Sequence, residues 1–384
     1  MSKMDELSVA LVTYWWSYPE IENRESTFWI SQMLLEHKIH VDVITARRID
    51  RKEKDFEKHG ELTIFRYLSF TTFKIIPFSI KRLLFNNYKC FHGFAYGSAP
   101  AAIAFYASKI NNIPFIFTPF GSWHDQPQSI KFYLRKWYDK TIGHNMLKNS
   151  TLILAKSNYE KKLYDINGIS NVIVMPEAID TKFFKRKEIK YDLKKIYNSN
   201  NIVLSVGGLN PRKRHDITIK LFKKVCEKIP DARLIIVGKE YDAPGHGNYL
   251  QNLIKSLGLE KSVFLTGYLT RDQLIDAYLS SKVFLLLSRY ESFGIVFIEA
   301  MAAGLPIIAP DIPPLNEIIS HERNGILIPE NQFHTIPDII GELLTDESKI
   351  KSLSLLGKEI VEKQYDISVL KKRMWNIYEK LIFR

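Results

Sequence analysis

Short apolar runs alternate with helix-length amphipathic segments along the chain. SVALVTY (8–14), HVDVIT (40–45) and LTIFRYL (62–68) have the length and β-branched content of buried strands. STFWISQMLLEHK has helical spacing, and three further strands are predicted at KCFHGFA, IPFIFTPF and TLILAKS. Because strands that alternate with helices form parallel βαβ units, the first half predicts a doubly wound α/β domain.

A lysine-rich stretch, KFFKRKEIKYD (182–192), separates this pattern from a second one and is predicted to be a linker without regular structure. Beyond it the alternation restarts. Strands are predicted at NIVLSVGG, ARLIIVG, VFLTGY, KVFLLLS and PIIAPD, and helices at DITIKLFKKVCEKI and GIVFIEAMAA. DISVLKKRMWNIYEKLI (366–382) closes the chain as an amphipathic helix.

The expected organisation is therefore two Rossmann-like, doubly wound α/β domains. They span residues 1–185 and 198–365, and the closing helix, 366–384, joins the first domain. In such open sheets ligands bind beyond the carboxyl ends of the strands. Two domains facing each other would then enclose a cleft, with the informative residues in the loops that follow strands.

Composition restricts the class of protein. The 384 residues include 46% apolar and 25% charged residues, as in folded soluble proteins. Cys90 and Cys226 match no metal-ligand spacing, which favours a reducing, cytoplasmic compartment. The N-terminal MSKMDELSV lacks the apolar stretch of a signal peptide, and no run reaches the ~18–20 apolar residues of a membrane span.

The net charge of +12 is unevenly distributed. Residues 51–200 hold 25 Lys and Arg against 12 Asp and Glu, whereas the rest of the chain is balanced to within one charge. This excess suits an anionic membrane surface, a phosphate-bearing lipid or nucleic acid, or it only keeps the surface soluble. FTTFKIIPFSIKRLLFNNYKC (70–90) combines aromatic and basic residues, so it either contacts a membrane peripherally or supplies core to the first domain.

The segment SRYESFGIVFIEAMAAGLPIIAPDIPP (288–314) contains the most specific pattern. Glu291 follows a predicted strand, and Glu299 lies two helical turns further on, among apolar residues where a carboxylate needs a partner. The backbone N–H groups of Phe293, Gly294 and Ile295 lie at a helix start, which favours an anion. Two acids on either side of an anion site could seat a nucleotide sugar. The alternative is that the loop acid, Glu291, is solvated and the helix acid, Glu299, is paired with Lys or Arg.

The E-x7-E form of this segment, with ESFGIVFIEAMAAGLPIIA around it, resembles the donor-site signature of glycosyltransferase family 4. VGGLNPRKRHD (206–216), LIIVGKE, FLTGYLTRDQL and NEIISHERNGILIP (316–329) resemble successive segments of that family in order. FHGFAYG, IPFIFTPFGSW, LILAKSNYEKKL and VIVMPEAIDTKFF resemble it more loosely. The resemblance thus covers nearly the whole chain and implies the two-domain GT-B fold, with donor binding in the second domain and acceptor binding in the first.

The resemblance implies roles for individual residues of the second domain. Glu299 would bind the donor ribose, and Glu291 would approach the sugar hydroxyls or the reacting centre. The amides of Phe293, Gly294 and Ile295 would contact the sugar and the diphosphate. Lys213 matches the family lysine that neutralises the diphosphate as the leaving group gains charge.

One departure from the family falls in the donor half. Gly208 stands where an arginine is usual, and Arg212 or Arg214 could replace its charge. Glu317, in PPLNEII, matches an acid found after the last donor-site strand, where a capping or packing role is the alternative.

The acceptor half departs further. The loop YWWSYPEIENREST (14–27) lacks the usual Gly pair, and Asn23 and Arg24 are its candidate acceptor contacts. In TPFGSWHD, Phe120 occupies the usual His position. His124 is then the candidate catalytic substitute, and its two neighbours, Trp123 and Asp125, are candidate acceptor contacts.

The resemblance implies a retaining glycosyltransferase that needs no metal ion or cofactor and moves a sugar from a nucleotide sugar to a glycan or lipid-linked acceptor. The expected location is cytoplasmic, with peripheral contact to the inner face of the cell membrane. One alternative is a nucleotide-sugar epimerase or a sucrose- or glycogen-type synthase on the same scaffold. Another is a catalytically silent sugar-nucleotide or glycan-binding subunit. Nucleic-acid binding is disfavoured because no recognition motif accompanies the charge.

Overall fold

The computed structural model describes residues 7–14, 16, 26–47, 54–68, 79–120, 136–240 and 243–383. The chain divides into two compact units. Unit 1 comprises residues 1–177 and 368–384, and unit 2 comprises residues 178–367. Each unit is an α/β domain built on a largely parallel sheet, which confirms the predicted fold class.

Unit 1 contains an eight-stranded sheet. Its strands are β1 Ser8–Val12, β2 His40–Arg47, β3 Phe56–His59, β4 Leu62–Leu68, β5 Cys90–Phe94, β6 Phe115–Thr118, β7 Leu152–Ala155 and β8 Val172–Val174. They lie in the order β3-β4-β2-β1-β5-β6-β7-β8. All neighbours are parallel except β3, which pairs antiparallel with β4.

Helices cover this sheet. They are α1 Ser26–Glu36, α2 Ser79–Phe85, α3 Ala99–Asn111, α4 His144–Asn149, α5 Asn158–Ile166 and, from the end of the chain, α14 Ile367–Ile382. A π-helical turn, Asp139–Gly143, leads directly into α4. The predicted closing helix is therefore present, and it packs on unit 1. There Trp375 stacks on His37 at 3.6 Å between ring centres, and the hydroxyl of Tyr378 lies 2.6 Å from Nδ1 of His92.

Unit 2 contains a six-stranded parallel sheet. Its strands are β9 Ile202–Val206, β10 Arg233–Val237, β11 Val263–Gly267, β12 Val283–Leu285, β13 Ile307–Pro310 and β14 Ile326–Ile328. Its helices are α6 Leu193–Ile196, α7 His215–Lys228, α8 His246–Ser256, α9 Arg271–Leu279, α10 Ile295–Ala303, α11 Leu315–Ile318, α12 Ile336–Thr345 and α13 Glu347–Gln364.

The order of strands in unit 2 determines where a ligand can approach. The order is β11-β10-β9-β12-β13-β14, so the chain runs outward from β9 in one direction and then restarts at β12 on the other side. Neighbouring loops diverge at such a switch point, which leaves a crevice beyond the carboxyl ends of the two strands. The loops after β9 and β12 hold several of the predicted donor-site residues, among them Lys213 and Glu291.

Two expectations need correction. The stretch 182–192 is not a structureless linker, because a 3-10 helix spans Thr181–Lys185 and the backbone N–H groups of Lys190 and Tyr191 donate to Oδ2 of Asp276 at 3.1 and 3.0 Å. The buried carboxylate of Asp276 therefore holds this stretch within unit 2. The sequence analysis also does not predict strands β3, β8 and β14. Strands β8 and β14 have only three residues each, and the four residues of β3 are mostly exposed.

No helix among the described residues has the length and apolar character needed to cross a membrane.

Candidate functional site

The loop after β9 places a lysine at the switch point of unit 2. The side-chain oxygen of Asn210 accepts from the backbone N–H of Lys213, 3.2 Å away, and thereby caps the 3-10 turn Pro211–Lys213. A Cβ at Gly207 would lie 3.2 Å from Cγ of Lys213, so the glycine lets the lysine side chain pack across the loop. Because of this cap and this close approach, the loop sequence directs Lys213 inward.

The loop after β12 brings a carboxylate to the same place. Oγ of Ser288 donates to Oε1 of Glu291 over 2.6 Å, which orients the carboxylate from within its own loop. The backbone N–H of Arg289 donates to the carbonyl oxygen of Arg212 over 2.8 Å, so the two loops are joined directly.

Lys213 and Glu291 form a nearly buried ion pair at this junction. Nζ of Lys213 lies 2.5 Å from Oε1 of Glu291, and the two side chains are only 11% and 9% exposed. At such burial each charge stabilises the other against the cost of leaving water. The family resemblance assigns the two side chains to different parts of a ligand and does not predict this pairing.

Glu299 lies within α10 and is 3% exposed. The hydroxyl of Tyr278, from α9, donates to Oε2 of Glu299 over 2.9 Å. The expected need for a partner is thus met in part by a tyrosine that sequence reasoning missed. Tyr278 is itself fully buried, so its ring also packs the helix that holds the carboxylate.

The start of α10 lies between the two acids. Gly294 is the N-cap residue with φ +97°, and no side chain caps this helix start. Phe293 and Gly294 are buried, whereas Ile295 is partly exposed. The first backbone N–H groups of α10, which lack helical partners, therefore carry the partial positive charge that attracts anions.

Gly294 gives a stability test of this turn. Its φ is unfavourable for other residues, and an added Cβ would lie 2.8 Å from Cδ2 of Leu315 and 2.9 Å from Cδ2 of Phe297. We expect Gly294→Ala to lower the free energy of unfolding of unit 2 by about 3 kcal/mol. The matched change Gly258→Ala, at φ +69° with open space around the Cβ position, should cost only about 1 kcal/mol.

Circular dichroism in urea would measure both changes, because all six tryptophans of the sequence fall in unit 1 and their fluorescence would not report on unit 2. Equal losses in the two variants would contradict the tight packing at Gly294.

The remaining predicted donor-side residues have different surroundings. Gly208 is half-buried. The side chain of Arg212 is exposed, and its backbone carbonyl oxygen accepts the hydrogen bond from the β12 loop. Arg214 is buried, and its guanidinium is bound at 2.9 Å to both carboxylate oxygens of Glu330, so its charge is already engaged. Glu317 is exposed on α11.

Two groups near the site have strongly shifted pKa values. Burial lowers the pKa of His215 to about 4, so its imidazole is neutral at pH 7, and its Nε2 lies 3.3 Å from the carbonyl oxygen of Gly207. Since a carbonyl only accepts, Nε2 carries the proton and donates it in a hydrogen bond to the backbone of the β9 loop. Burial, and then the nearby charge of Glu317, raise the pKa of Tyr365 to about 12.

The predicted acceptor-side residues lie outside the described part of the chain. They are Asn23, Arg24, Trp123, His124 and Asp125.

A polar cluster does occupy the described part of the carboxyl edge of the unit 1 sheet. Nζ of Lys156, just after β7, lies 3.0 Å from Oε1 of Glu177 and 3.0 Å from Oγ of Ser26, which itself donates to Glu177 over 2.6 Å. The ring of Phe120, whose φ is +57°, lies 5.1 Å from the same Nζ. Sequence reasoning missed this cluster, although a lysine inside the apolar run TLILAKS was a visible signal.

Among the described residues, no group of three or more His, Cys, Asp or Glu side chains is arranged to hold a metal ion.

Comparison with known proteins shows similarity along most of the chain. Residues 27–183 match the family model described as Glycosyltransferase Family 4, and residues 187–359 match the model described as Glycosyl transferases group 1. N-acetyl-alpha-D-glucosaminyl L-malate synthase of Bacillus anthracis is 30% identical over 240 residues, covering 62% of this chain and 58% of that protein.

A GDP-mannose-dependent alpha-(1-6)-phosphatidylinositol monomannoside mannosyltransferase of Mycobacterium tuberculosis is 28% identical over 204 residues, covering 50% of this chain and 51% of its own length. The chain thus spans about half the length of the curated relatives it matches. Alr3699/HepE of Anabaena, solved with UDP-glucose, superposes with a TM-score of 0.76 at 17% identity, covering 98% of this chain and 100% of that one. At this identity the likeness concerns the fold, which is the GT-B fold.

Proposed function

The chain belongs to the group 1 glycosyltransferases of family 4, and from this premise we propose that it transfers a hexosyl group from a nucleotide-sugar donor to an acceptor hydroxyl, with retention of anomeric configuration. One observation carries the proposal. The buried pair Lys213–Glu291, the uncapped start of α10 and the buried carboxylate of Glu299 all lie at the carboxyl edge of β9 and β12. This is the edge at which parallel sheets bind nucleotides.

Each group has a chemical task in the proposal. The carboxylate of Glu299 accepts hydrogen bonds from the two ribose hydroxyls of the donor. The amides at the start of α10 and the ammonium of Lys213 hold the diphosphate. Glu291, already oriented by Ser288, accepts from hydroxyls of the transferred sugar.

The reaction is proposed to occur on one face of the sugar. The bond between the anomeric carbon and the phosphate oxygen breaks, and its electron pair leaves with the diphosphate. The acceptor oxygen forms the new bond on the same face and gives its proton to the departing phosphate oxygen. Lys213 and the helix-start amides stabilise the charge that develops there, so neither a protein base nor a metal ion is required.

The proposed acceptor is a glycan or a lipid-linked saccharide of cell-surface polysaccharide or glycolipid synthesis, met on the cytoplasmic side of the membrane. The M. tuberculosis relative, named for a phosphatidylinositol monomannoside, supports a lipid-linked acceptor. The basic excess within residues 51–200 supports an anionic surface nearby.

A catalytically silent nucleotide-sugar-binding subunit is the second candidate. Two departures favour it, namely Gly208 in place of the usual arginine and Phe120 in place of the usual histidine. In that case the donor would bind without being consumed.

Thermal unfolding against UDP-, GDP- and ADP-sugars separates these possibilities when it is combined with an assay of transfer. A donor at ~100 times its Kd adds about 2.7 kcal/mol to the stability of the unit that binds it. For a unit of this size the expected rise in melting temperature is about 5–10 °C. We expect this rise with one nucleotide class only, and we expect EDTA to change neither the rise nor the rate of transfer.

Three outcomes would go against the proposal. Loss of transfer in EDTA, with recovery on adding Mg²⁺, would overturn its metal-independent part. A thermal shift without product from any acceptor extract would favour the silent subunit. Inversion at the anomeric carbon, read by NMR of the product, would overturn retention.

A further inference from the structure

One face of unit 1 is built from α2, α3 and the helical segment 136–149 that ends in α4. The buried side of this layer belongs to the core of the unit, with Leu83, Phe105 and Met146 in one apolar cluster against the sheet. The opposite side faces solvent. We call this solvent-facing side the α3 face.

Three hydrogen bonds show that the α3 face is continuous. Nδ2 of Asn111 donates to the carbonyl oxygen of Leu83 over 2.9 Å, which joins the ends of α2 and α3. Nζ of Lys109 donates to the carbonyl oxygen of Asn149 over 2.6 Å, which joins the ends of α3 and α4. Nδ2 of Asn145 lies 3.4 Å from the hydroxyl of Tyr106, one helical turn further back.

The α3 face exposes large apolar side chains. Phe85 is 81% exposed, Ile110 70%, Trp137 61% and Tyr106 42%. Single exposed apolar residues are ordinary, but several on one joined layer indicate a surface that becomes covered. Trp and Tyr are also the residues enriched where a lipid bilayer meets water.

The charge of the α3 face has one sign. The sequence contains no Asp or Glu from residue 62 to residue 124, and Asp139, the one acid within 136–149, is half-buried. Five lysines of the layer are exposed: Lys81, Lys109, Lys136, Lys140 and Lys148. Lysine side chains can lay their methylene stems along apolar surface and keep the ammonium in the polar headgroup region.

We propose that the α3 face docks unit 1 on a bilayer with anionic headgroups, with Phe85, Ile110 and Trp137 entering the interface among the lysines. The fully exposed charges of this surface are all basic and stand among exposed aromatic and aliphatic side chains, which is the combination that suits anionic headgroups above an apolar bilayer interior. The inference deepens the proposed function by defining the surface that reaches a lipid-linked acceptor. The role of the docking surface rests on the proposed function, but its lipid binding does not, because lipid binding can be measured without sugar transfer.

Flotation of the full chain with vesicles tests the proposal. We expect binding to vesicles of phosphatidylcholine mixed with phosphatidylglycerol, none to phosphatidylcholine alone, and release at high salt. Each lysine near an anionic surface contributes about fivefold to binding. The double change Lys81→Glu with Lys148→Glu should therefore weaken binding at least 25-fold.

Matched controls alter the same chemistry in unit 2. Lys255→Glu with Lys261→Glu makes the same change in net charge at two exposed positions and should weaken binding much less. Ile110→Ser with Trp137→Ser should lower binding at least tenfold, whereas Leu355→Ser, at a site with the same 61% exposure as Trp137, should leave it unchanged. Far-UV circular dichroism and urea midpoints equal to those of the native chain would show that all variants are folded.

Absence of binding to anionic vesicles at low salt would overturn the proposal, as would equal losses in the α3-face variants and their controls. So would a concentration-dependent dimer that the α3-face variants abolish while lipid binding persists, because the surface would then be an interface with a second copy. Failure of sugar transfer with intact vesicle binding would contradict the proposed function and leave the docking surface standing.

Discussion

Lys213→Met is expected to lower kcat about 10²–10³-fold, the usual effect of removing one preplaced group that stabilises charge developing in a transition state. The ammonium lies at the switch point of unit 2, paired with Glu291, which precedes the uncapped start of α10 by three residues. We propose that the diphosphate gains its charge there as the sugar leaves. Steady-state kinetics with saturating donor would measure the change. The matched variant is Lys239→Met. Lys239 is exposed, and its backbone carbonyl oxygen accepts a hydrogen bond from the backbone N–H of Leu209, which lies in the loop that holds Lys213. Its kcat should change less than about threefold.

Stability and chemistry must be separated in this experiment, because Lys213 is also the cation of a nearly buried pair. Its removal leaves Glu291 without compensation, and such losses reach about 3–5 kcal/mol for buried pairs. Adding Glu291→Gln to Lys213→Met removes the uncompensated charge and should restore part of the stability. The rate should stay low in the double variant. Recovery of kcat together with stability would mean that Lys213 acts only in folding.

Glu299→Gln is expected to weaken donor binding by about tenfold to 150-fold, the equivalent of the ~1.5–3 kcal/mol contributed by hydrogen bonds to a charged group. The amide keeps the shape of the carboxylate but can accept from only one oxygen, so a diol loses its second acceptor. Calorimetry with the donor identified by the thermal scan gives the dissociation constant directly. Because the effect is on binding, the loss should appear in the donor KM more than in kcat.

Two further variants serve as comparisons for the donor affinity of Glu299→Gln. Tyr278→Phe removes only the hydroxyl that donates to Glu299 and should cost less, about tenfold or below, since the carboxylate itself remains. Glu347→Gln makes the same change of charge at the exposed start of α13 and should leave donor affinity unaltered. Donor affinity of Glu299→Gln equal to that of the native chain would remove this residue from the donor site.

The local features of the donor-side loops could be predicted from sequence because they depend on neighbouring residues. The turn at Gly294 and the spacing of Glu291 and Glu299 follow from a strand, a glycine and a helix in succession. The pairing of Lys213 with Glu291 could not be predicted, since 78 residues separate them. It depends on β9 lying next to β12, and periodicity within a strand contains no information about which strand is its neighbour.

The two errors in the fold have similar causes. Strand β3, FEKH, is mostly exposed and polar, so it lacks the apolar signal by which strands were recognised. The composition of 182–192 is dominated by lysines and therefore predicts a linker. Its order comes instead from backbone N–H groups bound by Asp276, about 85 residues away in the sequence, which composition does not report.

The return of α14 to unit 1 has a consequence for biosynthesis. Tyr378 and Trp375 complete contacts with His92 and His37, but the ribosome adds them only after all of unit 2. At about 5–20 residues per second, the 190 residues of unit 2 take about 10–40 s to make. During that time the nascent first half lacks its last helix, while unit 2, continuous in sequence, can close as soon as it emerges. The half of the protein that is translated first is thus the half that finishes folding last, and its contacts with α14 stay unmade while the chain is still growing.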